Sequence, residues 1–406
     1  MNFSLAADRS FQKLLLFRIL IVLAYQLIAV VVGWHIYQLT HDALALGLIG
    51  LSEVIPYFLF ALFAGHAIDH YSRSMFGLLA SLLLTLNALT LAAVSAGRMS
   101  GDPTAWIYGA IAVGGVARAF ISPTYSAMFA MILPRDRYAR AAGIGSSVFQ
   151  LGLIVGPALG GLLVGWLGTT ASYAIAAGLC LCAAGALYSI RIDAPPAAAV
   201  SSHILRSIGE GLRFVFGNQI VLGAQSLDMF AVLFGGAVSL LPAFIHDVYH
   251  IGPEGLGVLR AAPAVGGMAT GLLLARYPIR FNNGRWLLGA VAGFGACIIL
   301  FAISSSFWIA GLMLLLSGVC DGVSVVTRTT ILQLATPDSI RGRVSAINGI
   351  FIGSSNELGA FESGIAARLL GLVPSVIFGG VMTLAVVAAT AGLAPRLRRL
   401  DLQQLD

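Results

Sequence analysis

The stretch GVARAFISPTYSAMFAMILPRDRYARAAGIGSSVFQLGLIVGPALGG, Gly115–Gly161, has a counterpart in GVCDGVSVVTRTTILQLATPDSIRGRVSAINGIFIGSSNELGAFESG, Gly318–Gly364. Laid over each other without a gap, 203 residues apart, they match Gly115 with Gly318, Val116 with Val319 and Thr124 with Thr327. The register runs on through Pro134 with Pro337, Arg140 with Arg343, Ile144 with Ile347, Gly156 with Gly359 and Gly161 with Gly364. Both copies lie inside apolar segments long enough to cross a bilayer. An even number of intervening spans gives them one orientation, as in a transporter built from two parallel halves around a central path.

Composition agrees with a bilayer as the solvent. Of 406 residues 58% are hydrophobic and 10% charged, against about 45–50% and about 25% in soluble domains. Mean hydropathy is +0.93. The net charge of +6 is spread as single arginines and small groups between apolar runs. No continuous basic face results, which argues against a nucleic-acid partner. Cys180, Cys182, Cys297 and Cys320 all stand in apolar runs and read as small core residues, with no metal-binding spacing. The first apolar run, Leu14–Trp34, is longer than a signal-peptide core and no small-x-small site follows, so it reads as the first span.

A hydrocarbon core about 30 Å thick takes about 20 helical residues. Apolar runs predict spans near 11–36, 45–69, 74–96, 104–132, 141–166 and 171–190, then 218–245, 255–276, 286–303, 307–334, 344–367 and 371–394. Basic residues collect on alternate connections: Arg73; Arg135, Arg137 and Arg140; Arg191, Arg206 and Arg213; Arg276, Arg280 and Arg285; Arg341 and Arg343. Arg9, Lys13, Arg396, Arg398 and Arg399 put both termini on that side, which the positive-inside rule makes cytoplasmic. The expected organisation is an N-terminal six-helix bundle over 1–193, a cytoplasmic linker over 194–217 and a C-terminal bundle with a short tail over 218–406. Within the linker Ile204, Leu205, Ile208 and Leu212 mark a short amphipathic surface helix.

Two motifs carry a resemblance. Gly65-His-Ala-Ile-Asp69-His-Tyr-Ser-Arg73, between the second and third spans, resembles the loop signature of the major facilitator superfamily. Asp69 ends a helix and favours the positive N-terminus of a neighbour, while Arg73 has Asp136 as a candidate partner. The resemblance makes Gly65, Asp69, Arg73 and Asp136 a cytoplasmic latch; the alternative is a basic loop that sets topology. Gly152-Leu-Ile-Val-Gly156-Pro157-Ala-Leu-Gly160-Gly161 resembles the antiporter signature of the same superfamily. Pro157 removes a backbone donor and the glycines permit close approach, for sliding or for static packing.

The resemblance covers essentially the whole chain. Leu241-Pro-Ala-Phe-Ile, Gly257–Pro263 and Gln333–Asn348 resemble its enterobactin-exporter and drug-exporter branches. It implies an all-α membrane protein of twelve transmembrane helices in two pseudo-symmetric six-helix bundles. It further implies a monomer of the inner membrane that exports a small organic molecule, a siderophore or a drug-like compound, by proton-coupled alternating access. An importer, a lipid-handling carrier and a non-transporting sensor on the same fold are the alternatives. One departure stands out: the second half's Gly271–Arg280 segment has no Asp, so latching falls to the first half.

Charges inside spans cost about 2.5–3.5 kcal/mol on insertion scales, so they usually face a cavity or a partner. Arg118, Asp228, Asp321 and Glu357 fall near mid-depth, Glu53 and Arg260 nearer the extracytoplasmic side, and Arg328 two turns from Asp321 on one face. The repeat sets Arg118 against Asp321. A shift of 207 sets Gly50, Glu53 and Pro56 against Gly257, Arg260 and Pro263. Opposite charges at equivalent positions suggest that Arg118 attracts Asp321 across the cavity. The alternatives are Arg118 as an anchor to carbonyls and Asp321 paired with Arg328 on its own helix. Asp228 has no basic neighbour in sequence, and an unpaired carboxyl in a low-dielectric cavity can exchange a proton. Asp228 is thus the first candidate for the coupling proton, ahead of Glu357 and Asp321. Tyr25, Gln26, Phe230 and Phe234 suit an amphipathic cargo, though at helical spacing they also suit packing.

The chain has no Walker loop, no His-Glu-x-x-His and no Gly-x-Ser-x-Gly, which argues against direct ATP drive and against a hydrolase. No cofactor is implied. His246, Asp247, His250 and Glu254 sit at a helix end without a full metal-ligand pattern.

Overall fold

The computed structural model describes residues 9–70, 72–134, 137–190, 204–279, 281–337 and 340–401, and every regular element among them is helical. In chain order these are α1 (Arg9–Thr40), α2 (Ala43–His70), α3 (Arg73–Ser95), α4 (Pro103–Ile132), α5 (Tyr138–Tyr188), α6 (Ile204–Gly217) and α7 (Gln219–Phe234). There follow α8 (Leu241–Ala243), α9 (Pro253–Arg276), α10 (Asn283–Ile303), α11 (Phe307–Ala335), α12 (Arg341–Leu370), α13 (Leu372–Leu393) and α14 (Pro395–Arg398).

Ten helical stretches among the described residues are long and apolar enough to cross a membrane. One of them, Arg140–Tyr188, runs for 49 residues, about twice what the hydrocarbon core requires. Gly168, at φ +79°, divides it into two spans. With α12, 30 residues long, the set reaches twelve. The joint between α12 and α13 is Gly371, at φ +93°, so the repeat register of Gly115–Gly161 continues to a further pair of equivalent glycines, Gly168 and Gly371. Both occupy the left-handed region, where a Cβ is strained.

Local signals explain the helix starts. Asp102 caps α4 by accepting from Thr104 N at 3.0 Å, and Pro103 follows where no backbone donor is needed. The Thr104 side-chain and backbone hydrogen bonds hold the Asp102 carboxyl below the usual carboxylate range. Asn218 caps α7 by accepting from Ile220 N and Val221 N at 3.0 and 3.2 Å. The seventh span is not the continuous helix expected over 218–245. After α7 it tightens to a 3-10 turn over Gly236–Leu240, passes through α8 and loosens to a π turn over Phe244–Val248. Pro242 cannot donate within that stretch. A Cβ on Gly236 would stand 2.7 Å from the Gly359 carbonyl, which fixes a close crossing just where the helix changes pitch.

The chain forms two compact units. The first comprises Met1–His41, Leu51–Ala199 and Ile251–Ala261; the second comprises Asp42–Gly50, Val200–His250 and Ala262–Asp406. In the first, α1 packs along α5. Gly152, Gly156 and Gly160 face Val22, Gln26 and Val30 in turn, so the backbones close together at every fourth residue. Leu14, Phe17, Ile21, Leu84, Ala117, Cys180 and Leu187 fill the core beside them. In the second unit α7 takes the place of α1 and α12 that of the first half of α5. A Cβ on Gly359 would lie 2.8 Å from the Leu233 carbonyl. The apolar face of α6 docks there: Leu212, Phe214 and Val215 pack with Val221, Leu332, Val344 and Ile347. The expected surface helix is thus bound to its unit along the described part of that face. Large apolar side chains such as Trp166, Trp308, Leu369 and Leu393 are exposed, as lipid-facing positions require.

The same contacts correct one register. Gly161 meets Gly257, and its repeat partner Gly364 meets Gly47; Gly115 meets Glu53, and its partner Gly318 meets Pro263. Packing thus sets Gly47 opposite Gly257 and Glu53 opposite Pro263, three residues from the expected 207 alignment. Glu53 and Arg260 are not equivalent positions.

Candidate functional site

Each unit holds an ion pair inside its helices. In the first, Arg118 of α4 reaches Glu53 of α2, with Nη1 2.6 Å from Oε1. Tyr25 of α1 donates its hydroxyl to the same Oε1 at 2.6 Å, and Arg118 Nη1 donates to that hydroxyl at 3.1 Å. The guanidinium also lies 5.2 Å from the Tyr25 ring centre and 5.3 Å from that of Tyr57. Tyr57 escaped the sequence reading although it stands one turn after Glu53 on the same face, a spacing that was there to be used. The Glu53–Arg118 pair is neutral, and the side chain of Glu53 is only 12% exposed.

In the second unit Arg328 of α11 pairs with Asp228 of α7, both side chains buried. This overturns the reading of Asp228 as an isolated carboxyl. The partner lies a hundred residues away in sequence, on a helix that packs against α7. Asp321 lies two turns before Arg328 on α11 and makes no ion pair with it. Asp228 and Asp321 line one small pocket together with Ala231, Val232, Val291, Phe294, Cys320 and Ser324. The Ser324 hydroxyl is buried there without a protein partner. Within its own unit Arg118 thus holds Glu53, and Asp321 has no basic partner among the described residues.

The other candidates fall elsewhere. Glu357 of α12 turns its backbone to α2, where a Cβ on Gly50 would stand 2.6 Å from its carbonyl. Arg260 Nη1 donates to the Ala29 carbonyl at 3.3 Å, tying α9 to α1. Gln26 stands against Gly156, while Phe230 is 38% exposed on α7. Arg73 opens α3 behind Ser72. Asp136 and the side chain of Asp69 lie outside the described residues, so the latch has no further geometry. His246 bonds Asp247 at 2.6 Å and His250 the His246 carbonyl at 3.0 Å.

Twelve spans in two units that repeat each other, each holding an ion pair among its helices, define a multi-pass membrane protein of the duplicated-bundle class. The sequence matches the Major Facilitator Superfamily over residues 14–360. The chain belongs to that superfamily: it is a membrane transporter and not an enzyme. It is 26% identical to the multidrug efflux pump Tap of Mycolicibacterium fortuitum over 380 residues, 91% of each chain. It is also 26% identical to the enterobactin exporter EntS of Escherichia coli O1:K1 / APEC over 394 residues, 94% of this chain and 88% of the relative. Among solved structures it resembles a bacterial homolog of the human lysosomal transporter Spinster, with a TM-score of 0.77 at 17% identity over 97% of this chain and 98% of that one. A D-xylose-proton symporter superposes with a TM-score of 0.73 at 12% identity, covering 96% and 99%. These two likenesses concern the fold alone.

Proposed function

We propose that the protein exports a small organic molecule across the inner membrane in exchange for protons, alternating access between its two halves with both termini in the cytoplasm. The relatives named for multidrug efflux and enterobactin export support the direction and the size of cargo. The ladder of Gly152, Gly156 and Gly160 against α1 supports helices that can shift along each other. Gly65, Asp69, Arg73 and Asp136 are assigned to a cytoplasmic latch on the resemblance of their motif.

One observation carries the coupling: two carboxyls line one pocket of the second unit, and only one of them, Asp228, has a guanidinium partner among the described residues. With every group ionised this cluster holds a net negative charge, whereas Glu53 and Arg118 cancel. Asp321 is the carboxyl whose charge is least compensated, so the proton is assigned to it, and Asp228 becomes the acid that keeps Arg328 in place. Protonation at Asp321 leaves the cluster neutral and free to accept a change of surroundings. Asp321→Asn should abolish pH-gradient-driven export in proteoliposomes while cargo binding persists within about threefold. Export at the wild-type rate in this variant would refute the assignment.

A further inference from the structure

A third cation lies inside the first unit without a counter-ion. Arg18 stands in α1, about 13 Å along the helix from Arg9 at 1.5 Å per residue. Its guanidinium carbon lies 3.9 Å from the centre of the Tyr125 ring and 5.1 Å from that of Phe149. Among the described residues it makes no ion pair. Its Nε is buried without an acceptor, and the Tyr125 hydroxyl is likewise buried without a partner. Two unsatisfied groups therefore sit side by side, and both can donate to one anion.

The neighbouring helix explains how the place arises. Along α5 the glycines at 152, 156 and 160 bring the backbone against Val22, Gln26 and Val30. One turn earlier on α1 the ladder ends, and α5 presents Phe149 instead. Gly145 completes the space: a Cβ there would stand 2.5 Å from the Tyr125 hydroxyl and 3.8 Å from Arg18 Nη1. Phe149 is 38% exposed, so one wall of the cradle is open and apolar. A guanidinium in a span is costly unless something offsets it. Two aromatic faces offset part of that cost. A bound carboxylate or phosphate would satisfy Nε, the hydroxyl and the charge together.

We propose that Arg18, clasped between Tyr125 and Phe149, recognises the anionic group of an amphipathic organic-acid cargo. The apolar body of such a cargo lies along the exposed Phe149 ring. The proposal deepens the transport reading and rests on it for calling the ligand cargo. Binding measured at equilibrium without a gradient is independent of coupling, so failure of proton drive and failure of this site are distinguishable.

The test uses the full chain in nanodiscs, with 2-naphthoate and its neutral counterpart 2-naphthamide as probes, followed by calorimetry. Wild-type protein should bind the naphthoate at least about tenfold more tightly than the amide, the difference one charged hydrogen bond makes. Arg18→Gln should erase that preference without changing amide affinity, Arg18→Lys should keep part of it, and Tyr125→Phe should reduce it. A Gln variant that does not fold is replaced by Gly145→Ala, which presses on the hydroxyl and should lower naphthoate affinity alone. Each measurement is made in phosphatidylcholine and in phosphatidylglycerol discs. A preference that disappears only in the anionic lipid assigns the cradle to a lipid headgroup and overturns the cargo assignment. No preference in the wild type, or one retained in Arg18→Gln, overturns the site itself.

Discussion

The two halves solve one packing problem alike and one charge problem differently. Gly156 and Gly359, or Gly161 and Gly364, do the same work at the same register: each lets a neighbouring backbone approach where a Cβ would collide. The charges do not repeat. The first unit pairs a glutamate with an arginine and adds a tyrosine to them, and the second pairs Arg328 with Asp228 and leaves Asp321 beside them without a basic partner among the described residues. Helix packing tolerates few alternatives, because interiors are as dense as crystals. A buried charge only needs some partner, and any neighbouring helix can supply it. Duplicated architecture can thus carry unequal electrostatics, the inequality on which the proposed assignment of the proton to one half rests.

The strongest way to break this contrast is to remove a cation from each side. Arg328→Ala leaves Asp228 buried beside Asp321 with no compensation and should cost about 3–5 kcal/mol. Melting in detergent, followed by size-exclusion recovery, should show a large loss. The double change Asp228→Asn with Arg328→Gln should recover much of it. Equal damage from the single and the double variants would mean that the pair is not a unit.

The next test asks whether packing really is shared. Gly115→Ala and Gly318→Ala each drive a methyl into a backbone carbonyl, of Glu53 and of Pro263 respectively, and overpacking of this kind costs about 1–3 kcal/mol. Similar drops in melting temperature for both would sharpen the equivalence. A harmless change at either one would show that the two crossings are held by different means. The smallest effect belongs to Arg118→Ala. Its side chain is 33% exposed, so solvent screens the loss, which should be about 1 kcal/mol on the same melting assay. A loss as large as that of Arg328→Ala would erase the proposed asymmetry.

The duplication, the bilayer and the superfamily were legible from residues alone, because repeat register, hydropathy and short motifs are local or periodic signals. The seventh span was misjudged as continuous, since Pro242 after two glycines was read for apolarity and not for backbone donors. The charged residues were found, but not the partners that Arg118 and Asp228 have within their own units. Aligning the repeats pairs Arg118 with Asp321 because they are equivalent, yet equivalent positions in a duplicated fold need not touch. The true partners, Glu53 for Arg118 and Asp228 for Arg328, sit on other helices, and no spacing reveals which helix packs beside which. Arg18 escaped altogether, because one arginine barely alters the hydropathy of a long apolar run.

Gly168 and Gly371 carry a consequence for the history of the chain. After a gene segment doubles, most positions are free to drift, and here the two copies have drifted far enough to exchange even the sign of a charge. At these two joints any side chain would have to adopt a conformation costing about 1–2 kcal/mol. Drift there is resisted in each copy separately, with no need for the copies to resemble each other in anything else. Such joints act as fixed stars for aligning the halves: they mark common descent where the intervening letters have long since ceased to agree.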